Sequence, residues 1–401
     1  MELKYTVSDS SGKRVTAITT MDSVLSLVGR LKQQGLVPLN IEVLKSKSTK
    51  KGLFSSSRVK SKELAVFVRQ LATILTSGVL LTEALNTIAE DMENPYFREV
   101  IINVTGSINA GASFSEGLSR YPQVFSTIFV SLIKSGEEVG NLGAAMASLA
   151  KYLEEFEAMR DKITNAVRYP IFVFSFMVII ISIIVLFIIP KFSALFMNAG
   201  AQLPLLTRIV MGVSTFIIKH TFWGIFIILF VWGLAIYLLA QFRIRFAWDY
   251  YQLQLPLFGQ IIRKVVLARF CRTLSTLITG GVAIISSLKI SKEVTGNLYF
   301  RQVFEDVKNS VTSGVSLSEA LRLYEQVPRV LIKMVAVGEK SGKLDEMLGR
   351  TADYYEQELA LTLNKLSTLI EPILIVLIGI IVLIVALALY LPIFNISLAV
   401  H

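Results

Sequence analysis

Three stretches of the chain are apolar without interruption. Residues 171–189 carry no charge and lie between Pro170 and Pro190-Lys191. A second run extends from about Thr221 to Phe242 and stops at Arg243 and Arg245. A third starts after Glu371-Pro372 and stays uncharged to Val400. Each reaches the roughly 20 residues needed to cross about 30 Å of hydrocarbon. The pattern predicts transmembrane helices at 171–190, 219–242 and 372–392. The alternative, a buried core helix, fits poorly, because uncharged runs of this length are rare in soluble folds.

Outside these runs the periodicity changes twice. Residues 1–45 read as a small ββαβ unit: "LKYTV", "RVTAITT" and "LVPLNIEV" are strand-like, and Ser10-Ser11-Gly12 is a turn. Between the second and third strands, Val24, Leu25, Leu27, Val28 and Leu31 keep helical spacing behind the capping residue Asp22, and Gly35 ends the run. No continuous apolar stretch resembling a signal peptide occurs there, which predicts a cytoplasmic N-terminus. Residues 46–61 form a basic, serine-rich linker that cannot bury a core. It is either a plain solvated linker or an attachment to anionic lipid headgroups. Residues 62–170 and 243–371 have apolar positions three and four apart, the pattern of packed helices.

Those two segments are copies of one another. Shifted by 203 residues, "RQLATILTSGV" at Arg69–Val79 falls on "RTLSTLITGGV" at Arg272–Val282, and "NPYFREV" falls on "NLYFRQV". After a one-residue slip, "GEEVGNL" at Gly136 meets "GEKSGKL" at Gly338, Pro170 meets Pro372, and Pro190 meets Pro392. An internal repeat of this kind is one structural unit used twice. In the first copy, breaks at Gly78, Asn94-Pro95, Gly111, Tyr121-Pro122 and Gly136–Gly140 divide the segment into about six helices, the last running towards the first span. Ser113-x-x-Glu116 and Ser316-x-x-Glu319 are capping boxes at matching places. Both copies end in a span that leaves the cytoplasm, so one unpaired span must bring the chain back, and 219–242 does so. Residues 191–218 are then an extracytoplasmic loop and 393–401 an extracytoplasmic tail. Basic residues agree, less cleanly across residues 191–220, which hold Lys191, Arg208 and Lys219. Lys151, Arg160, Lys162 and Arg168 precede the first span, Arg243, Arg245, Arg263 and Lys264 follow the second, and no Lys or Arg follows Pro392. The predicted fold is mainly α. It is a polytopic membrane protein with a small N-terminal α+β unit, two duplicated cytoplasmic helical bundles and three transmembrane helices.

Composition sharpens this. The 401 residues are 53% hydrophobic and only 17% charged, against about a quarter charged in a soluble domain. The net charge of +10 favours anionic lipid or an acidic partner, and nucleic acid fits poorly with the apolar runs. One cysteine, Cys271, excludes a disulfide framework, and two histidines, His220 and His401, leave little for a metal centre or a catalytic triad. No catalytic, cofactor-binding or metal site is predicted. Gly338–Leu344 resembles a phosphate loop only superficially, with three residues between its glycines where four are needed and Leu344 where Ser or Thr must stand. Spans nearly free of ionisable groups disfavour an ion transporter.

The candidate sites are therefore interfaces or structural loops. The G-E-x-x-G elements Gly136, Glu137, Gly140 and Gly338, Glu339, Gly342 have two readings. Glycine C-caps could close one helix while each glutamate stabilises the next helix start. Alternatively the carboxylates face a basic partner or a divalent cation. Arg69 and Arg272, on otherwise apolar stretches, make either ion pairs within their domain or partner contacts. Pro170 and Pro372 mark the junctions of bundle and membrane.

Together these features resemble the inner-membrane platform proteins of type IV pilus assembly and type II secretion, the pilus C / secretion F family. The residues that carry the resemblance are "KYTV…SGKR…LKQQGLVPLNI", "ELAVFVRQLATILTSGVLLTEAL", both G-E-x-x-G elements, "RYP" before the first span and "EP" before the third. Cys271-Arg272-Thr273 departs from the Val68-Arg69-Gln70 form. The resemblance implies a non-enzymatic platform in the bacterial inner membrane, multi-pass, with its C-terminus periplasmic. Its implied partners are a hexameric motor ATPase, pilins or pseudopilins, other inner-membrane assembly proteins, membrane lipid and a further copy of itself, a dimer being favoured. It implies coupling of the motor to insertion of subunits into a growing filament, with pilus biogenesis preferred to secretion.

Overall fold

The structure is a computed structural model, and it describes residues 2–8, 14–20, 37–44, 59–191 and 205–399. The chain divides into two compact units, Met1–Arg58 and Val59–His401. In the first, strands β1 (Glu2–Ser8), β2 (Arg14–Thr20) and β3 (Val37–Leu44) form an antiparallel sheet of order β2-β1-β3. Tyr5 pairs with Ala17 on one side and Ile41 on the other, and the β1–β3 register shifts between Thr6 and Val7. The three strands stand where the alternation places them. The helix expected between β2 and β3, the Ser10–Gly12 turn and nearly all of the 46–61 linker lie outside the described residues.

The second unit is helical. The first repeat comprises α1 (Ser61–Thr76), α2 (Leu81–Glu90), α3 (Pro95–Asn109), α4 (Phe114–Ser119), α5 (Thr127–Val139) and α6 (Leu142–Ile183). A helix α7 (Leu205–Ala240) and a short α8 (Phe242–Gln252) follow. The second repeat comprises α9 (Phe258–Thr279), α10 (Ile284–Glu293), α11 (Leu298–Thr312), α12 (Leu317–Arg322), α13 (Arg329–Ser341) and α14 (Leu344–Ala399). Helix for helix, the second set repeats the first at the spacing of the sequence duplication.

Local chemistry explains the boundaries. Asn94 and Asn297 cap α3 and α11, Asn94 accepting from the Tyr96 and Phe97 amides and Asn297 from the Phe300 amide. Gly140 and Gly342 end α5 and α13 in the left-handed conformation, with φ of 75° and 69°. In α1, Phe67, Val68, Leu71 and Ala72 are buried, a stripe three and four residues apart. They join Phe97, Phe125, Phe129 and Met146 in one core, while Phe270, Leu274, Phe300, Phe304 and Leu348 build the matching core of the second repeat. Each such side chain contributes about 1.5–3 kcal/mol relative to exposure.

Among the described residues, two helices are long and apolar enough to cross a membrane, those beginning at Leu142 and Leu344, and a third span results if the bent pair α7–α8 counts as one. The bend there, between Leu229–Ala240 and Phe242–Gln252, is 98°. α6 passes through Pro170 unbroken and continues through a π-helical turn at Ile184–Ile188. α14 passes Pro372 and Pro392 and runs to Ala399. Two boundaries differ from expectation. Residues 205–218, assigned to an extracytoplasmic loop, belong to α7, because Pro204 precedes a helical run that Lys219 and His220 do not interrupt. Residues 393–399, assigned to a tail, continue α14, since nothing beyond Pro392 breaks the apolar pattern.

Candidate functional site

The G-E-x-x-G elements sit at the α5–α6 and α13–α14 corners, where the two repeats have the same geometry. The first glycine sets the helix approach. A Cβ on Gly136 would stand 2.4 Å from Ala145 Cβ, and one on Gly338 2.9 Å from Leu344 Cα. The second glycine takes the left-handed cap described above. The glutamate reaches back to the short helix before it. Glu137 Oε1 accepts from Phe114 N at 2.5 Å and Oε2 from Ser115 N at 3.1 Å. Glu339 accepts from Leu317 N at 2.5 Å and Ser318 N at 3.2 Å. These carboxylates therefore hold the starts of α4 and α12, not of α6 and α14. The serine half of each expected capping box is present, Ser113 Oγ accepting from Glu116 N and Ser316 Oγ from Glu319 N. A helix of six residues is marginal alone, and the bidentate carboxylate at its positive end supplies what its length cannot.

Arg69 and Arg272 also occupy equivalent places with equivalent partners. Arg69 Nε lies 2.6 Å from Glu154 Oε1 across α1 and α6. Arg272 Nη2 lies 2.9 Å from Glu356 Oε1 across α9 and α14. The Arg69 hydrogen bond holds the Glu154 carboxyl below its ordinary range. The copies then diverge. Arg272 Nη2 also binds Asp353 Oδ1 at 2.5 Å, and its Nε reaches Glu155 Oε2 of the first repeat at 3.1 Å. Burial raises the Glu155 carboxyl above its ordinary range against the opposing charges of Arg272 and Lys151, and Glu356 and Asp353 push the same way as burial.

This cluster belongs to a contact that sequence reasoning missed, the one joining the two repeats. Tyr152 Oη lies 3.3 Å from Thr273 Oγ1, Ser135 Oγ donates to the Gly280 carbonyl at 2.7 Å, and the Arg269 guanidinium stands 5.0 Å from the centre of the Phe156 ring. A polar cleft of about 370 Å³ opens beside it, lined by Lys151, Glu155, Arg272, Arg350 and Asp353 among others. One signal could have found the contact. Glu155 and Thr273 are places where the repeats differ, with Gln357 and Gln70 as counterparts.

The junction prolines have a partner too. Pro170 lacks the amide that would bond the Ala166 carbonyl, and Ser367 Oγ from α14 donates to that carbonyl at 3.3 Å. Further along, α6 and α14 flank an apolar cleft of about 470 Å³ lined by Met177, Ile181, Ile184, Ile381, Val385 and Tyr390 among others. Among the described residues, no group of three or more His, Cys, Asp or Glu is placed to hold a metal ion. Cys271 is buried, and burial pushes its thiol far above its ordinary pKa.

A helical bundle duplicated along one chain, each copy continuous with an apolar helix, defines a class of membrane protein. The chain belongs to the type II secretion system (T2SS) protein F family, which it matches over residues 67–190 and 270–392, once in each repeat. It is 32% identical over 395 residues to the type IV pilus assembly protein TapC of Aeromonas hydrophila, covering 96% of this chain and 93% of that one. To the type IV pilus assembly protein PilC of Pseudomonas aeruginosa it is 33% identical, covering 92% and 97%. To type II secretion system protein F of Vibrio cholerae it is 31% identical, covering 98% of each.

Proposed function

We propose that this chain is the inner-membrane platform of a type IV pilus or type II secretion machine, and we prefer the pilus. It takes the motion of a cytoplasmic hexameric motor ATPase and uses it to move pilin or pseudopilin subunits from the membrane into the growing filament. The observation that carries this reading is the continuity of α6 and α14. Their 42 and 56 residues make rods of about 63 and 84 Å. Each is packed into a bundle at one end and apolar at the other. A displacement imposed on a bundle is therefore delivered to a membrane helix without a flexible joint.

In this reading, 62–170 and 243–371 are cytoplasmic. Helices α6, α7 and α14 are the three spans, the N-terminus is cytoplasmic and the C-terminus periplasmic, as the basic residues favour. The platform acts as a homo-oligomer, a dimer by preference, among other inner-membrane assembly proteins and lipid. The apolar cleft between α6 and α14 suits the apolar helix of a filament subunit. The platform is not an enzyme, and the work comes from its ATPase partner.

Affinity purification of the tagged full chain from gently solubilised membranes tests this. Co-purification of a hexameric secretion-type ATPase with pilins supports the platform, and the identity of the filament subunits separates pilus from secretion. An intact complex containing neither would remove the motor coupling.

A further inference from the structure

The duplication leaves two surfaces unmatched. Inside the chain, the first repeat's α5–α6 face covers the second repeat's α9. Thr273, at the centre of that contact, is fully buried. Its counterpart in the first repeat, Gln70 on α1, is exposed, as are Val66 and Ser77, the counterparts of Arg269 and Gly280. The covering face has an open counterpart as well. Tyr152, Met159 and Ser135 correspond to Tyr354, Leu361 and Val337. Tyr152 and Met159 are 4% and 5% exposed, whereas Tyr354, Leu361 and Val337 are 42%, 55% and 54% exposed. Val66, at 56%, completes an apolar set that lies outside the spans and coincides with the positions that join the repeats.

We infer that the open α1 face of one copy receives the open α13–α14 face of a second copy of this chain, repeating between copies the contact that joins the repeats within one. Tyr354 then meets Gln70 as Tyr152 meets Thr273, and Val337 takes the place of Ser135 over Ser77 as an apolar contact without the hydrogen bond, the flexible Met334 yielding to the Ser77 Cβ where Leu132 closes on Gly280. Charge agrees. The groove of about 410 Å³ beside Val66 is edged by Glu63, Asp91 and Glu93 and by one base, Lys62, already paired with Asp161 at 3.1 Å, and α14 presents the exposed Lys365 where α6 has Ile163. The Phe156–Arg269 pair is not reproduced, because Glu358 and Val66 stand there, and Glu358 is already neutralised by Lys264 at 3.0 Å. The contact uses different surfaces on its two sides, so it is head-to-tail. Copies sharing one orientation in a membrane can close it into a ring when the rotation between them divides a full turn, and two chains exchanging the contact are the smallest such ring.

The inference rests on the proposed homo-oligomer but on neither the motor nor the filament subunit. The test uses full-length chains in membranes. Gln70→Cys and Tyr354→Cys are placed on separate, differently tagged chains, with Ser77→Cys and Val337→Cys as a second pair. All pairs are joined with a flexible bis-maleimide, and a single chain carrying Arg69→Cys and Glu154→Cys, a half-exposed pair facing across α1 and α6, is the control for the chemistry. Both mixed pairs are expected to cross-link between chains, and Val66→Glu is expected to lower the light-scattering mass in detergent to about half. A control that cross-links while neither mixed pair does would overturn the inference, as would Gln70→Cys joining only to itself. A dimeric mass without these cross-links leaves the homo-oligomer standing and removes these surfaces, whereas a monomeric wild-type mass removes both.

Discussion

Glu137 and Glu339 occupy the most recognisable motif in the chain, and their carboxylates are committed to backbone amides of α4 and α12. Removing one leaves two amides of a short helix without a partner and takes a negative charge from its positive end. Glu137→Ala is expected to lower stability by about 1–3 kcal/mol, read as a lower thermal midpoint of the full chain in detergent. Glu137→Gln keeps one acceptor oxygen and is expected to cost less, so it is the right substitution for probing partner docking at this loop. An alanine variant as stable as the parent would show that the amides find other partners. The motif was legible in the sequence, but its target was not. Spacing points forward to the next helix, whereas the amides it binds lie 22 and 23 residues upstream. Cys271 illustrates a different local effect. Its buried thiol is expected to resist maleimide in the folded chain and to react once denatured. Rapid labelling of native protein would contradict its burial.

At the scale of elements, helix order was readable because glycine, asparagine and proline mark nearly every break. The continuation of helix through Pro170 frees a carbonyl whose partner the pattern does not contain, a hydroxyl 201 residues away. The freed Ala166 carbonyl and Ser367 form a tie between α6 and α14 at the base of both rods. Ser367→Ala is therefore expected to cost about 0.5–1.5 kcal/mol. Pro170→Ala restores an amide that can bond the same carbonyl, so Ser367→Ala should cost little in that background. Thermal midpoints of the two single variants and the double variant decide it. Purely additive effects would mean that the proline and the serine do not share the carbonyl. The start of α7 at Leu205 shows the opposite case: counting spans leaves 205–218 to a loop, although the run is mostly apolar and the helix extends through it.

At the scale of the whole molecule, the repeats are joined by a cluster in which three carboxylates, Glu155, Asp353 and Glu356, surround Arg272. Helical periodicity does not encode which exposed polar residues meet across repeats, and this is why Arg272 was legible as a candidate while Glu155 was not. The surplus of negative charge has a sign. Burial raises the Glu155 carboxyl, opposed by Arg272 and Lys151 and reinforced by Glu356 and Asp353. A carboxyl whose pKa is higher folded than unfolded binds more protons in the folded chain. Its contribution to stability is present below the unfolded pKa and is lost as pH rises through the raised folded value. Glu155→Gln is neutral at every pH and keeps an oxygen facing Arg272. The variant is expected to match the parent in acid, where Glu155 is protonated folded and unfolded alike, and to exceed it in thermal midpoint at neutral pH. A gap between the two that is constant across this pH range, or a less stable variant at neutral pH, would show that the Arg272–Glu155 attraction outweighs the burial of the charge. In that case the junction between repeats would be held by its ion pair rather than strained by it.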